Sequence, residues 1–396
     1  MTAFGTYGVE LIVEAAFGYA PYSGVSWTDI SKYVHRIVIR RGAESTPIPR
    51  TVAGQCTLEL NNDDGRFDPN NTAGTYYPDV ILTVPIRIRA TWDSTTYPIY
   101  SGFANSWDVA YPYKGSRSIV TVPCADGFQL LNQYLIPASA TYAEQRTDVR
   151  IAAVLDDVAW PSGLRDLDTG VENVEAFTAG DAETSALNHL TSVANAEVGR
   201  IFISGDGSFT FHNRTHHAGG ATSKGTFGPS DLPYVDVAPS YDDNHLYNDI
   251  RVTRTAGETQ TATDATSITA YRQRTLEQGG IMVNDAAAMS VAEWQLDMFK
   301  DMAARIDTIT INPQASPTAL WPVILGVDLR DAIVVKVVPR SGADSLNQQV
   351  SIEYIKHDIG VDRWLTTYGC YPLSTFAVGD YWIVGTSELD TETAIA

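Results

Sequence analysis

Cysteine is scarce: the 396 residues hold three, Cys56, Cys124 and Cys370, far apart in the chain. An odd number without a Cys-x-x-Cys spacing supplies neither a disulfide framework nor a zinc site. Each sits in an apolar alternation, the setting of a buried free thiol. Basic residues are also in short supply, 27 Lys and Arg against 47 Asp and Glu, a net charge of −20. Gripping nucleic-acid phosphates takes clustered Lys and Arg, so sequence-reading contact with DNA is excluded as a role. The same surplus repels a passing duplex and lets it slide without sticking. No run approaches the ~18 apolar residues of a membrane helix. The first apolar stretch, Val9 to Phe17, contains Glu10 and Glu14 and lacks a basic leader, so it does not read as a signal peptide. Charged residues reach only 19%, against a usual ~25%.

Gly, Thr, Ser, Tyr and Pro fill the gap left by charge, which is the composition of a β-rich chain with many turns. Hydrophobic residues at 44% suffice for real cores, so global disorder is excluded. The length suggests about two to four domains.

Residues 1–125 alternate with period two. Val9, Leu11, Val13, Ala15 and Phe17 form one such series, and Ile37 and Ile39 another; then come Cys56, Leu58 and Leu60, Ile86, Ile88 and Ala90, and the segments 99–103 and 118–122. One buried and one wet face per strand, joined by turn-like segments, predicts antiparallel sheet. Two long loops interrupt it, 42–53 and 61–80, the second longer than a compact domain usually carries without a use for it. Residues 126–225 change character. Asp126 to Leu135 reads as a short helix, Thr147 caps a second that stops at Pro161, and Asp181 caps a third that ends near Gly199. A hairpin turning on Gly205-Asp206-Gly207 follows. From 226 to 375 strands return, predicted at 249–255, 267–273, 306–312, 332–339, 349–357 and 363–371. One helix interrupts them, opened by a Ser290/Glu293 capping box with Trp294, Met298 and Met302 on one face. Residues 376–396 begin with an apolar stretch, Phe376–Val384, and end in an acidic tail.

Catalytic signatures are missing: no G-x-S-x-G elbow, Walker loop, G-x-G-x-x-G or H-E-x-x-H. The one histidine cluster, His212, His216 and His217, lacks a carboxylate at motif spacing and reads as exposed loop histidines. Asn61-Asn62-Asp63-Asp64-Gly65 invites a calcium reading, but counting back from Gly65 puts Leu60 at the first ligand position of an EF-hand, which cannot ligate. Two readings of the segment stay open. One is a non-standard ion site. The other is a tight turn in which Arg66 bridges to a carboxylate and Phe67 anchors the loop on a core. The adjacent pairs Asp156-Asp157 and Asp242-Asp243 point apart and make poor acid–base pairs. The aromatics around turns, Tyr76, Tyr77, Tyr97, Tyr100, Trp107, Tyr111 and Tyr113, suit ordinary core, a subunit interface or a sugar-stacking surface.

A likeness is carried by Trp27-Thr-Asp-Ile-Ser-Lys-Tyr-Val-His-Arg-Ile-Val-Ile-Arg-Arg-Gly42 and by Gly54-Gln-Cys-Thr-Leu-Glu-Leu-Asn-Asn-Asp-Asp-Gly-Arg-Phe-Asp-Pro69. Tyr76-Tyr-Pro, Pro85-Ile-Arg-Ile-Arg, Tyr100-Ser-Gly-Phe, Asp126-Gly-Phe-Gln-Leu-Leu, the hairpin 198–211 and Tyr247-Asn-Asp-Ile-Arg-Val-Thr-Arg continue it. In this order the segments resemble minor tail proteins of long-tailed actinobacterial phages, of the baseplate or tail-tip hub kind, over most of residues 25–375. The chain departs from that family's longer members in having no appended hydrolase or sugar-binding module.

The resemblance implies a mostly β, α+β fold: two tail-tube-like antiparallel β-barrels, 1–125 and 226–375, around an inserted small α+β module, 126–225, with a C-terminal extension at 376–396. It implies a structural virion protein, not an enzyme, without cofactor, assembled in the host cytoplasm. The partners expected are itself as a homotrimer, the tail tube or distal tail protein, the tape-measure protein and other tail-tip proteins, with DNA only in transit and no membrane insertion. Asp64, Gly65, Arg66, Phe67, Tyr76 and Tyr77 are the candidates for contacts with neighbouring subunits. A carbohydrate-binding host-recognition module and a cell-wall hydrolase are the competing expectations.

Overall fold

Alternating segments become strands with one buried face. In a computed structural model, which describes residues 8–373 apart from 44–45, 47, 49, 112–116, 179–183, 218–219, 242, 303 and 339–344, the first third holds six main strands. They are β1 (Glu10–Ala15), β2 (Val34–Gly42), β3 (Gln55–Asn61), β4 (Pro85–Trp92), β5 (Thr95–Ala104) and β6 (Ile119–Ala125). They pair antiparallel in the order β2-β3-β6-β5-β4-β1. In β3, Cys56, Leu58 and Leu60 are buried while Gln55 is exposed, as period two requires. The inward faces make a common core that includes Ile37, Leu58, Ile88 and Val122. On the other face Glu14 lies opposite Arg87 and binds Arg87 and Arg89 at 2.6 and 2.8 Å, the cross-strand ion pairing that favours one register.

The middle of the chain folds as α1 (Phe128–Gln133), α2 (Thr147–Asp157), α3 (Ala186–Asn195) and the hairpin β7 (Arg200–Ile203) and β8 (Phe209–His212). The hairpin turn places Gly207 at φ +95°, a region that costs glycine least. These elements pack on a second core holding Ile151, Leu155, Leu190 and Phe209. The observed cap of α3 is Ser185, whose hydroxyl accepts the Asn188 N–H; the expected cap, Asp181, lies outside the described residues.

The remainder contains β9 (Ser223–Phe227), β10 (Asp236–Ser240), β11 (Asp249–Arg254), β12 (Thr259–Thr263), α4 (Ala265–Tyr271), β13 (Thr275–Gly280) and α5 (Asp285–Phe299). After these come β14 (Arg305–Ile311), α6 (Pro317–Gly326), β15 (Ala332–Val337), β16 (Leu346–Ile359) and β17 (Trp364–Pro372). Strands β10, β14, β17, β16 and β15 pair antiparallel in that order, and β9 adds parallel to β15. Their core includes Phe227, Ile309, Ile333 and Ile352. Strands β11–β13 form a separate three-stranded sheet under α5, and Ile250, Val252, Val291 and Ala292 join the central core. The fold is thus mostly β, with two antiparallel barrels and a mixed module between them.

The barrels share one sheet. The second half of β16 pairs with β2, with Ile37 opposite Ile359 and Ile39 opposite His357, so 14 strands run as a single hydrogen-bonded system. Helix α6 is wedged across the seam: Trp321 and Leu325 enter the first core, Leu320 and Ile324 the third. Trp321 lies edge-on to Trp364 with ring centroids 4.9 Å apart. All three cysteines are buried and free. Among the described residues no helix is long and apolar enough to cross a membrane.

Four expectations change. Thr147 is the first residue of α2 rather than its cap, and its hydroxyl donates to Glu197 Oε2 at 2.7 Å. The strand expected at 267–273 is α4 instead, because the Asp264 carboxylate caps it by accepting the Ser267 N–H at 2.8 Å. The helix expected from Ser290 starts at Asp285, since Asn284 accepts the Ala287 N–H at 2.8 Å and three alanines follow. Helix α6 has no sequence-derived counterpart. Its Ser316-Pro317 start is a helix-opening pair, but a segment apolar except for Thr318 and interrupted by Pro322 shows no clear polar stripe in sequence. The expected apolar stretch Phe376–Val384 and the acidic tail lie outside the described residues.

Arg41 pins the three units together. It projects from β2, is buried, pairs with Asp328 at 2.6 Å beyond α6, and donates to the Ile203 carbonyl at 3.4 Å on β7. The other Asp328 oxygen accepts the Gly205 N–H at 2.9 Å. Replacing Asp328 by Ala is expected to cost about 3 kcal/mol of unfolding free energy, because it strands a buried guanidinium. Urea denaturation followed by tryptophan fluorescence reads this, and an unchanged midpoint would show that Arg41 needs no carboxylate.

Candidate functional site

The loop between β3 and β4 is long but ordered. Its backbone runs as a chain of turns, each N–H meeting the carbonyl three residues back: Gly65 to Asn62, Asp68 to Gly65, Asn71 to Asp68, Gly74 to Asn71 and Tyr77 to Gly74. Asn, Asp and Gly at these places are the residues that turns favour. Gly65 has φ +67°, and a Cβ there would come within 2.8 Å of the Asn71 side chain, whose amide donates to the Gly65 carbonyl at 2.9 Å.

Phe67 nails the loop to the first core. It is fully buried, and its N–H donates to Asn62 Oδ1 at 2.9 Å. Its ring lies parallel to Trp107 at 6.0 Å and edge-on to Tyr33 at 5.4 Å. Tyr76 stacks on Phe17 at 4.2 Å. Trp107 Nε1 donates to the Ile81 carbonyl at 2.7 Å, closing the far end of the loop. Arg66 lies over the Tyr33 ring, 4.1 Å from its centroid, and chelates Asp64, which it holds below the usual carboxylate range. The oxygens once eligible for calcium serve protein donors: Asn62 holds Phe67, Asp63 accepts the Ser118 N–H at 2.9 Å, and Asp64 holds Arg66. The tight-turn reading describes the segment as it stands.

The six named residues therefore divide. Asp64, Gly65, Arg66, Phe67 and Tyr76 build and anchor the loop, whereas Tyr77 is 44% exposed. Sequence reasoning missed its outward neighbours Ile81 and Leu82, 54% and 61% exposed. The signal was present: a Val80-Ile81-Leu82 run directly after Pro78-Asp79, outside any alternating segment. An ordered backbone carrying outward apolar side chains would lose little ordering entropy on association.

The histidine cluster is not simply exposed loop. His212 and His216 stack with centroids 3.5 Å apart, His217 meets His216 at 4.8 Å, and His216 Nδ1 lies 2.8 Å from Asp168 Oδ2. His212 and His217 are half-buried; His216 remains exposed. Burial, with neighbouring His216 and Arg330, pulls His212 down to about 2 and His217 to about 4. Among the described residues no group of three His, Cys, Asp or Glu side chains is placed to hold a metal ion.

Two outcomes follow from these packings. Phe67→Ala is expected to destabilise the protein by about 3–5 kcal/mol and to speed amide exchange across 62–77, while Tyr77→Ala changes stability by less than ~0.5 kcal/mol. Equal effects from the two variants would show that the loop is not anchored through Phe67. For the histidines, the unfolded chain takes up protons near pH 6.5 while the folded chain does not, so their contribution to stability is intact above that value and declines as the pH falls toward 4. A His212→Asn, His217→Asn double variant is expected to lose about 1–2 kcal/mol less than the parent between pH 7 and 5, as measured by urea titration at each pH. A parallel pH profile would show the two rings to be freely protonated.

No protein-family model and no curated protein matches the chain in sequence. Solved structures do share its fold. A tail protein from Neisseria meningitidis MC58 matches with a TM-score of 0.61 at 13% identity, covering 92% of this chain and 96% of that one. The 43 kDa tail protein of prophage MuSo2 from Shewanella oneidensis matches with a TM-score of 0.58 at 14% identity, over 92% and 97%. An E. coli component of the type VI secretion system, described as structurally similar to the bacteriophage T4 tail proteins gp27 and gp5, matches with a TM-score of 0.52 at 11% identity, over 87% and 75%.

Proposed function

We propose that the chain is a structural tail protein, the hub at the tail tip or baseplate of a long-tailed phage of the actinobacterial kind, and that it acts as a homotrimer rather than as an enzyme. The observation that carries this reading is the end-to-end match in fold to a tail protein, 92% of this chain against 96% of that one. A fold shared at 13% identity argues for architecture alone, and the site supplies the rest of the support: an anchored contact loop in place of a catalytic pocket. Three chains with two barrels each would present six barrels to a six-fold tube and three-fold symmetry to the tip. The partners that fit are the tail tube or distal tail protein, the tape-measure protein and other tip components, and the location is the virion. With −20 per chain, DNA would pass the assembled ring without binding.

The division into 1–125, 126–225 and 226–375 belongs to the same proposal. The contribution of Ile250, Val252 and Val291 to the central core suggests that part of the last segment serves the insert. Asp64, Gly65, Arg66, Phe67 and Tyr76 would shape the subunit contact, and Tyr77, Ile81 and Leu82 would make it. Because Phe67 fills the first core, removing the loop would damage the barrel, so substitution of outward residues is the cleaner test. The purified chain, 43.1 kDa as a monomer, is expected to form three-fold rings by mass measurement and electron microscopy. A Tyr77→Asp, Ile81→Asp, Leu82→Asp variant should remain folded and monomeric. Rings formed equally well by that variant would refute the assigned surface. A monomeric parent that degrades host cell wall or binds host glycan would overturn the function.

A further inference from the structure

The three-stranded sheet under α5 has a bare edge. Strand β12 (Thr259–Thr263) pairs with β11 on one side, and among the described residues no strand pairs with it on the other. The Asp264 N–H donates to the Asn248 carbonyl at 3.1 Å. In an antiparallel ladder that bond fixes the parity: Ala262 and Gln260 exchange backbone bonds with β11, and the N–H and C=O groups of Thr259, Thr261 and Thr263 turn away from it. All three threonines are exposed, whereas Ala262 between them is buried in the central core. An edge of this kind is a template for another chain, and proteins usually blunt it with a charge, a proline, a bulge or a very short strand. Other edges here are blunted in those ways. At one end of the large sheet β10 carries Pro239 beside a register shift; at the other the last strand is only Thr28–Asp29. Strand β9 carries Lys224 and an irregular register. Strand β13, on the far side of the small sheet, is tied to α3, its Gln278 side chain donating to the Asn195 carbonyl at 3.0 Å. Strand β12 has none of these devices: Thr-Gln-Thr-Ala-Thr is uncharged, free of Pro and Gly, and in regular register with β11 throughout. Its β-branched residues favour the extended chain, and Thr259 Oγ1 meets Thr253 Oγ1 across the pair at 2.8 Å.

The flanks decide what would pair there. Glu258 and Asp264 stand at the two ends of β12, Glu258 exposed and Asp264 half-buried. A second copy added antiparallel about Thr261 would set a Glu258 against an Asp264 at both ends, and like charges directly opposite one another are destabilising. A strand with Lys or Arg at those two places turns both oppositions into attractions. Between the flanks, residues opposite Gln260 and Ala262 would share the face on which Ala262 is buried, and suit apolar β-branched side chains. Those opposite the three threonines would face water. We propose that β12 is a docking edge for an extended segment of a different protein, added antiparallel, β-branched at its centre and basic at both ends. Main-chain hydrogen bonds to Thr259, Thr261 and Thr263 would supply the affinity, and the flanking charges the choice of partner. The inference does not depend on the tail-hub reading.

The test uses the full chain and a labelled synthetic peptide, Lys-Thr-Val-Thr-Val-Thr-Lys. Its fluorescence anisotropy is expected to rise saturably with protein, and the amides of Thr259, Thr261 and Thr263 to exchange about tenfold more slowly at saturation than in the free chain. Thr261→Pro removes an outward N–H and spares the bonds to β11, so it is expected to weaken binding about tenfold in a folded protein. Glu258→Lys changes an exposed side chain and keeps the test valid where Thr261→Pro fails to fold; it is expected to weaken binding about threefold. Absence of saturable binding, or affinity unchanged in both variants, would overturn the docking edge. Equal binding of the peptide with Glu at both ends would overturn the basic partner. Slow exchange of the three amides in the free chain at high dilution would mean that the edge is covered from within the chain. Slow exchange arising only at high protein concentration would mean that a second copy covers it. Either result would overturn the assignment to a different protein.

Discussion

The pairing of β2 with β16 is the constraint on which the rest of the structure depends. It joins residues more than 300 positions apart, Ile37 with Ile359 and Ile39 with His357, and turns two barrels into one hydrogen-bonded system. Register in a half-buried sheet is strongly specified, since a slip of one residue would turn Ile37 and Ile39 away from the core. Fixing that register also brings Arg41 to Asp328, Gly42 against Glu353, and the end of β7 against both. Helix α6 follows from the same seam: one wide buried face spans both cores, Trp321 and Leu325 entering one and Leu320 and Ile324 the other, while Thr318, Ala319 and Pro322 on the remaining side are exposed.

Charge is handled differently inside and outside. On the surface of the first barrel, Glu14, Arg87 and Arg89 sit within reach of water and set register more than stability. At the junction, Arg41, Arg200, Arg330 and Glu353 are withdrawn from solvent, where every unbalanced charge is expensive. A chain acidic overall therefore keeps a positive interior at the point where its parts meet.

The loop between β3 and β4 shows a division of labour between residues that resemble one another in sequence. Phe67, Tyr76 and Tyr77 lie within eleven residues, yet the first two are locked among Phe17, Tyr33 and Trp107 while the third faces outward. The expectation of an interface here rests on the loop's length and its aromatics. Separating the anchors from the exposed side chains was not possible from the sequence, because Phe17 and Trp107 come from elsewhere in the chain. The same holds for the histidines: their spacing suggested loop residues, whereas burial, with His216 and Arg330 beside them, holds His212 and His217 below the usual histidine range.

What the sequence by itself determined is local. Period-two alternation marked β3, β4, β6 and β17, Gly205-Asp206-Gly207 marked the hairpin, and Asn-Asp-Gly marked the chain of turns, because these depend on side-chain alternation and backbone preferences over a few residues. Where a local signal misled, as at 267–273 or Ser290, a neighbouring Asp or Asn cap had the stronger claim on the backbone N–H groups. The tertiary structure alone decided which strand β16 would choose, why a proline-containing apolar segment is a helix, and which arginines end up buried together. Those outcomes are set by burial against distant partners, and the free energy of burial belongs to the pair rather than to either segment of chain.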